Sequence, residues 1–287
     1  MELIGWWWSP SDAAVLYAVH PNRWHSPCDR LVMPDLLAAR DTNAAGLGRR
    51  AFLLVASGTA LGVAATACET SRGASMPPIH PRVVYTFGDS ILDCGHYNAY
   101  GLTPGGLLVT NDVTLFPEFR DRDLSSRGPA RLEHHARDGA TIASLPAQAR
   151  GLAPPSGEPA VALVTVGGND LLQGLLADPG PGIDAFRTAL DTFLRDLPVR
   201  PVLLGNVYDP TFGDDARNFL GVEPALARRN QQRLMAVHSE LGARYGRLVD
   251  LHARFLRGDP SWFVHIIEPS LTGASEVRRG FLEALGL

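Results

Sequence analysis

The chain has 287 residues, of which 45% are hydrophobic and 20% charged, as is typical of an ordinary globular protein. Its formal net charge of −4 provides no strongly basic surface, so we expect no nucleic-acid partner. All 26 basic residues are arginine, which excludes a phosphate-loop lysine, a Schiff-base lysine and a lysine general base. The three cysteines, Cys28, Cys68 and Cys94, are too scattered to predict a disulfide framework or a metal-binding pair.

Residues 48–68 have the pattern of a bacterial export signal. Arg49 and Arg50 precede an uncharged apolar run that ends at Ala67, and Cys68 follows directly. An arginine pair, a short apolar segment and small residues before a cysteine are typical of a twin-arginine signal with a lipoprotein-like cleavage site. The sequence therefore predicts export to the periplasm or cell envelope, a lipid anchor at Cys68 and a tether over residues 69–81. A buried core helix is the alternative interpretation of the apolar run.

Residues 1–47 match no periodic pattern and are left as an unassigned N-terminal extension. They include three consecutive tryptophans at positions 6–8, and Met33 offers a second start position. If Met33 is the true start, residues 1–32 are untranslated or mis-assigned sequence.

From residue 82 onward, short apolar runs alternate with amphipathic stretches, which predicts alternating strands and helices. The predicted strands are Val83–Phe87, Arg131–His135, Val161–Val166, Pro201–Val207 and Leu248–Leu251. The predicted helices are Ile142–Leu152, Ile183–Leu197, Glu223–Tyr245 and Gly273–Leu285, and we expect His238 at the surface of the third. This repeat favours one domain over residues 82–287, an α/β fold with a mostly parallel central sheet covered by helices on both faces.

A long polar segment, residues 95–128, separates the first two predicted strands. Loops of this length in small domains are usually functional or mobile, so we expect the segment to shape the substrate pocket. Arg120 and Arg122 could receive an anionic group there, or form a solvated charge cluster.

Three positions beside glycines, near the ends of predicted strands, are candidates for catalysis. Ser90 follows a strand and a glycine, where a sharp turn into a helix would expose its hydroxyl as a nucleophile. Gly139 offers a backbone amide without a side chain, and Asn169 offers a carboxamide donor, both suited to stabilising an oxyanion. Taken singly, each of these positions could equally be an ordinary turn residue.

Taken together, these positions resemble the SGNH (GDSL-type) hydrolase family, and the resemblance covers Val83 to about Leu282. The matching blocks run from Thr86 to Asp93, from Asp138 to Thr141 and from Val166 to Asp170. The resemblance implies a flavodoxin-like, three-layer α/β/α sandwich in which a serine attacks an ester. It also implies an oxyanion hole made by the Ser90 and Gly139 amides and the Asn169 side chain. Such a reaction needs no cofactor, and because the histidines lack a metal-binding spacing we assign no metal.

The last block departs from that family, which normally has Asp-x-x-His before a proline. Here the stretch places His265 where the aspartate stands and Glu268 where the histidine stands, counted back from Pro269. Both chemical types are retained in exchanged order, so the sequence predicts a Ser90–His265–Glu268 triad, with His265 as base and Glu268 orienting it. The alternatives are that His265 is a core histidine and Glu268 a helix cap, or that His252 is the base.

The sequence thus predicts a serine hydrolase that cleaves carboxyl esters through an acyl-enzyme. Its substrate would be a small-molecule, lipid or carbohydrate ester, and carbohydrate deacetylation, lysophospholipid or thioester hydrolysis and acyl transfer stay open. A catalytically weak envelope binding protein on the same fold is the alternative from another class. Membrane contact is expected only through the lipid anchor, and the oligomeric state is left open.

Overall fold

The computed structural model of the protein describes residues 79–153 and 157–287. The predicted export signal, the acylation site at Cys68 and nearly all of the tether lie outside the described residues. Within the described ranges, no helix combines the length and the apolar character that crossing a membrane requires.

Five strands form one parallel sheet in the order β2-β1-β3-β4-β5. They are β1 (Val83–Gly88), β2 (Arg131–His134), β3 (Ala160–Thr165), β4 (Val202–Gly205) and β5 (Gly246–Val249). The strand order reverses at β1, because β2 lies on one side of it and β3 on the other. In sheets of this kind ligands bind at the carboxyl ends of the strands beside such a reversal. The predicted α/β fold class is confirmed.

Seven helices and one short hairpin complete the described part of the chain. The helices are α1 (Pro104–Val109), α2 (Leu145–Gln148), α3 (Gly168–Leu172), α4 (Pro181–Asp196), α5 (Pro224–Tyr245), α6 (Leu251–Phe255) and α7 (Leu271–Leu285). The hairpin pairs β6 (Phe263–Val264) with β7 (Glu268–Pro269), antiparallel to each other. Short 3-10 turns lie in several of the connections.

The core has two layers, one on each face of the sheet. Because successive side chains of a strand point to opposite faces, Val83, Tyr85 and Phe87 pack with α4 and α5. Val84, between them in sequence, packs with α1 and α7 on the other face. All six residues of β1 are buried, as expected for a central strand of a parallel sheet with both faces covered.

Two predicted segments differ from the structure. The predicted helix Ile142–Leu152 is a 3-10 turn at Ile142–Ser144 followed by only α2, and Gly151 adopts a left-handed φ of 75° shortly after it. The polar segment 95–128 contains the buried helix α1, whose N-terminus is capped by the Thr103 side chain. Six residues are too few for a helical period to be recognised in the sequence.

Candidate active site

The first motif, Gly88-Asp89-Ser90, carries the chain out of β1 in a tight turn. Gly88 has a φ of 128°, and a Cβ there would lie 1.7 Å from the Thr165 carbonyl oxygen, so only glycine fits. The Asp89 carboxylate accepts the Thr165 hydroxyl at 2.8 Å and the Ile91 amide at 3.2 Å. The Leu92 amide donates to the Asp89 carbonyl, so the chain forms one hydrogen-bonded turn. The predicted α-helix directly after Ser90 is therefore wrong, since a single turn and then a 3-10 turn follow.

The glycine motif is held against the first motif by Asp93. The Asp138 amide donates to Asp93 Oδ2 at 3.0 Å, and His134 Nε2 lies 3.1 Å from Asp93 Oδ1. Gly139 then adopts a φ of 74° with open space on its Cβ side. Within the described ranges, neither the Gly139 amide nor the Ser90 amide donates to another group of the protein. Both N–H groups are therefore available to a ligand.

The third motif lies on α3 and is tied to the glycine motif by two side chains. Asn169 Nδ2 donates to the Ala140 carbonyl at 3.0 Å, which leaves its second amide hydrogen for another acceptor. The Asp170 carboxylate accepts the Ile142 amide at 3.1 Å, and burial raises the pKa of this carboxyl to about 6. These contacts fix the Asn169 side chain and the Gly139 turn relative to each other.

His238 also supports the third motif, a role that the sequence analysis did not assign to it. Its ring is fully buried, and Nε2 lies 2.9 Å from the Val166 carbonyl oxygen at the end of β3. The predicted surface position is wrong because α5 packs this side of the helix against the sheet. Its helical spacing from Leu234 and Leu241, both buried core residues, is the signal that could have placed it inside.

The last block is the β6–β7 hairpin, and it brings Glu268 to Ser90. Glu268 is only 9% exposed, and the Ser90 hydroxyl lies near enough to its carboxyl to act on its pKa. Burial raises the pKa of Glu268 to about 7; the nearby Ser90 hydroxyl opposes this rise, while the negative charges of Asp138 and Asp89 add to it. Glu268 Oε2 has no hydrogen-bond partner in the described part of the chain.

His265 lies in the exposed turn of the same hairpin. The residue is exposed, has a φ of 48°, and its ring centroid lies 5.8 Å from that of Tyr97. Among the described residues, no hydrogen bond or ion pair joins His265 to Ser90 or Glu268. The structure thus brings Ser90 and Glu268 together and does not bring His265 to them, and the role of His265 as base stays a prediction.

The competing interpretations of these residues can be compared with the same geometry. Ser270, not Glu268, caps α7, because its hydroxyl accepts the Gly273 amide at 3.2 Å. Asp250 caps α6 by accepting the Ala253 amide at 3.0 Å, so it does not orient His252. His252 lines the same cavity as Ser90, and its Nδ1 is buried without a hydrogen-bond partner within the described ranges.

A cavity of about 330 Å³ opens beside Ser90 and Asn169. It is bounded by α3, by the connection between β4 and α5, and by α5 itself. The polar segment 95–128 contributes no lining residue to this cavity, and its role in shaping the substrate pocket stays a prediction. Its helix α1 packs beneath α7 instead, and Arg122 lies over the Phe119 ring at 5.5 Å.

No metal site is evident in the part of the chain that the structure describes. There, no group of three or more His, Cys, Asp and Glu side chains is arranged to hold a metal ion. Burial raises the pKa of the Cys94 thiol to about 12, so this cysteine is a neutral core group rather than a nucleophile.

Solved structures of the same fold are found among bacterial esterases and lipases. Axe2, an acetylxylan esterase from Geobacillus stearothermophilus, superposes with a TM-score of 0.53 and 19% identity, over 74% of this chain and 97% of its own. A GDSL-like lipase from Parabacteroides merdae superposes with a TM-score of 0.52 and 15% identity, over 73% of this chain and 98% of its own. No protein-family model and no curated protein matches the sequence. The described residues therefore share the fold of these two solved structures.

Proposed function

We propose that the protein is a serine hydrolase that cleaves carboxyl esters. The observation that carries this proposal is the placement of the Ser90 hydroxyl beside the buried Glu268 carboxyl, at a cavity lined by Ser90 and Asn169. The amides of Ser90 and Gly139, which donate to no group in the described part of the chain, supply donors for an oxyanion at the same place. The acetylxylan esterase and the GDSL-like lipase that share the fold support ester hydrolysis as the chemistry.

In the first half of the reaction, Ser90 Oγ attacks the carbonyl carbon of the ester and its proton passes to the Glu268 carboxylate. The carbonyl oxygen becomes an oxyanion that accepts hydrogen bonds from the Ser90 and Gly139 amides and from Asn169 Nδ2. The bond to the alcohol oxygen then breaks, the alcohol takes the proton from Glu268, and the acyl group stays on Ser90.

In the second half, water attacks the acyl-enzyme and gives a proton to Glu268. The carboxylic acid leaves and the proton returns to Ser90 Oγ, so the enzyme is regenerated. Glu268 suits this task because its pKa of about 7 lies close to physiological pH, where a base is both ionised and able to hold a proton. The order predicted from the sequence, with His265 as base, is the alternative that mutation must test.

Labelling with a fluorophosphonate tests the proposed chemistry directly, because this probe forms a covalent bond only with an activated serine. We expect the wild type to be labelled and Ser90→Ala to be neither labelled nor active. Ser126→Ala, which changes an exposed serine outside the site, is the control and should be labelled like the wild type. A folded wild type that resists labelling would instead favour the binding-protein alternative.

We also propose that the protein is exported and anchored through Cys68, as the sequence of residues 48–68 predicts. Cell fractionation with and without Cys68→Ser tests this. The wild type should be found in the membrane fraction, and the variant should be released from it. Equal distribution of the two proteins would contradict the anchor.

A further inference from the structure

The cavity beside Ser90 has a mostly apolar lining. Its large aliphatic and aromatic side chains include Leu172, Leu176, Phe219, Leu220, Met235 and Leu256. We call these six residues the acyl chamber. Polar side chains also line the cavity, among them Asp215 and Arg228, which are paired with each other.

Several side chains of the acyl chamber are exposed to solvent. Leu172 is 36% exposed, Phe219 42%, Leu220 38% and Leu256 39%. They make up more than half of the large hydrophobic residues that are exposed in the described ranges. Contiguous exposed apolar surface that adjoins a reactive group is a mark of a binding site, because an apolar ligand would remove it from water.

We propose that the acyl chamber binds the hydrocarbon chain of the substrate's acid, so that the enzyme prefers esters of medium-length apolar acids to acetate esters. This inference rests on the proposed function. The chamber is continuous with Ser90, which carries the acyl group during the reaction, so a chain bound there is already joined to the nucleophile. An acetyl group would leave almost all of the chamber empty.

The position of Glu268 indicates that the chamber takes the acid and not the alcohol. The departing alcohol needs a proton from the group that accepted it from Ser90, so the alcohol must lie on the side of Glu268. Glu268 contacts Ser90 from β7 and does not line the cavity. The acyl chain therefore extends from Ser90 in the other direction, between α3, α5 and α6.

Two substrate series separate the acid side from the alcohol side. In nitrophenyl esters from acetate to octanoate, kcat/KM should rise by about 4-fold for each added methylene until the chain reaches the open end of the chamber. In acetate esters of alcohols of increasing length, kcat/KM should stay nearly constant. A rise in the alcohol series with a flat acid series would overturn the inference.

A pair of matched variants locates the effect. Phe219→Asp puts a charge into the acyl chamber and should lower the octanoate-to-acetate ratio of kcat/KM by about tenfold, the equivalent of losing close to two methylenes. Val113→Asp makes the same change at a residue that is 36% exposed outside the cavity, and should keep the wild-type ratio. Equal ratios in the two variants would show that the chain does not bind beside Phe219.

Serine labelling distinguishes failure of the inference about the acyl chamber from failure of the proposed function. If Ser90 reacts with a fluorophosphonate and esters are hydrolysed, but kcat/KM falls or stays flat with acyl length, the inference about the chamber fails and the proposed function survives. If Ser90 is not labelled and no ester of either series is cleaved, the proposed function itself fails.

Discussion

Replacing Glu268 with Gln and His265 with Ala, one at a time, decides which residue takes the proton from Ser90. Gln has the shape of Glu and can still hydrogen-bond to Ser90, but it cannot accept a proton. We therefore expect kcat of Glu268→Gln to fall by about 100- to 10,000-fold, the range that general-base catalysis contributes. His265→Ala should retain nearly normal kcat, because the residue is exposed and its ring lies beside that of Tyr97.

The pH dependence of kcat/KM also tests Glu268 as the base, and the size of the change follows from the pKa of Glu268. With a pKa of about 7, Glu268 is about 90% ionised at pH 8 and about 10% ionised at pH 6, so kcat/KM should fall close to tenfold between them. A carboxyl with the ordinary pKa of 4.5 would give a flat profile over this range. An imidazole base would titrate in the same window, but its midpoint shifts strongly with temperature, whereas that of a carboxyl hardly moves.

Restoring the family's residue order provides the complementary test. Glu268→His combined with His265→Asp recreates Asp-x-x-His, and we expect it to hydrolyse esters because residue 268 contacts Ser90 whatever its chemical type. A third variant, His252→Ala, tests the histidine that lines the cavity as the base. The reasoning is refuted if His265→Ala is inactive while folded and Glu268→Gln is only slowed, since that ranking belongs to His265 as base. An inactive His252→Ala beside active forms of the other two would point to His252.

Three further predictions follow from the same geometry. Asn169→Ala should lower kcat by about 100- to 1000-fold with little change in KM, since the donor acts on charge that appears only in the transition state; steady-state kinetics with a nearly normal kcat would remove Asn169 from the oxyanion hole. Because the pKa of Glu268 is raised, ionisation of this carboxyl destabilises the folded state. The effect is absent below pH 4.5 and grows to about 3 kcal/mol above pH 7. Glu268→Gln should therefore be more stable than the wild type at pH 8 and lose this advantage at pH 5. The measurement is the difference in melting temperature between variant and wild type at each pH. Taking this difference cancels the opposite contribution of His238, whose pKa is lowered by burial in both proteins. Mass spectrometry of the native protein should find no peptide upstream of Cys68, and an intact peptide from Met33 to Ala67 in the mature protein would contradict the export signal.

The fold could be predicted from the sequence because its signals are local. Each strand is a short apolar run, and β1 ends at Gly88, whose close approach to Thr165 admits no side chain. The carboxyl ends of neighbouring parallel strands meet at one edge of the sheet, so Ser90 and Asn169 could be expected near each other. Short elements such as α1 could not be predicted. This helix is held by tertiary packing against α7 and has no recognisable helical period in the sequence.

The arrangement of the last block could not be predicted in the same way. His265 and Glu268 are only three residues apart, so which of them faces Ser90 depends on the turn between β6 and β7. That turn places both His265 and Ile266 at positive φ. Gly and Asn usually adopt this conformation, so a His-Ile pair does not predict it. The acyl chamber could not be predicted either, because its residues come from α3, α5, the connection after β4 and the turns that follow α3 and α6.

Three carboxyl groups near the strand ends have raised pKa values, and comparing them supports a chemical role for one of them. Burial raises the pKa of Asp89 and of Asp170 to about 6, and each carboxylate accepts a backbone amide that fixes a loop, that of Ile91 or Ile142. Glu268 has the highest of the three values, but among the described residues its side chain caps no helix, pairs with no arginine and accepts no backbone amide. The Ser90 hydroxyl lies beside it. A buried carboxyl that stabilises no loop costs stability, and such groups are retained where their altered proton affinity serves the reaction.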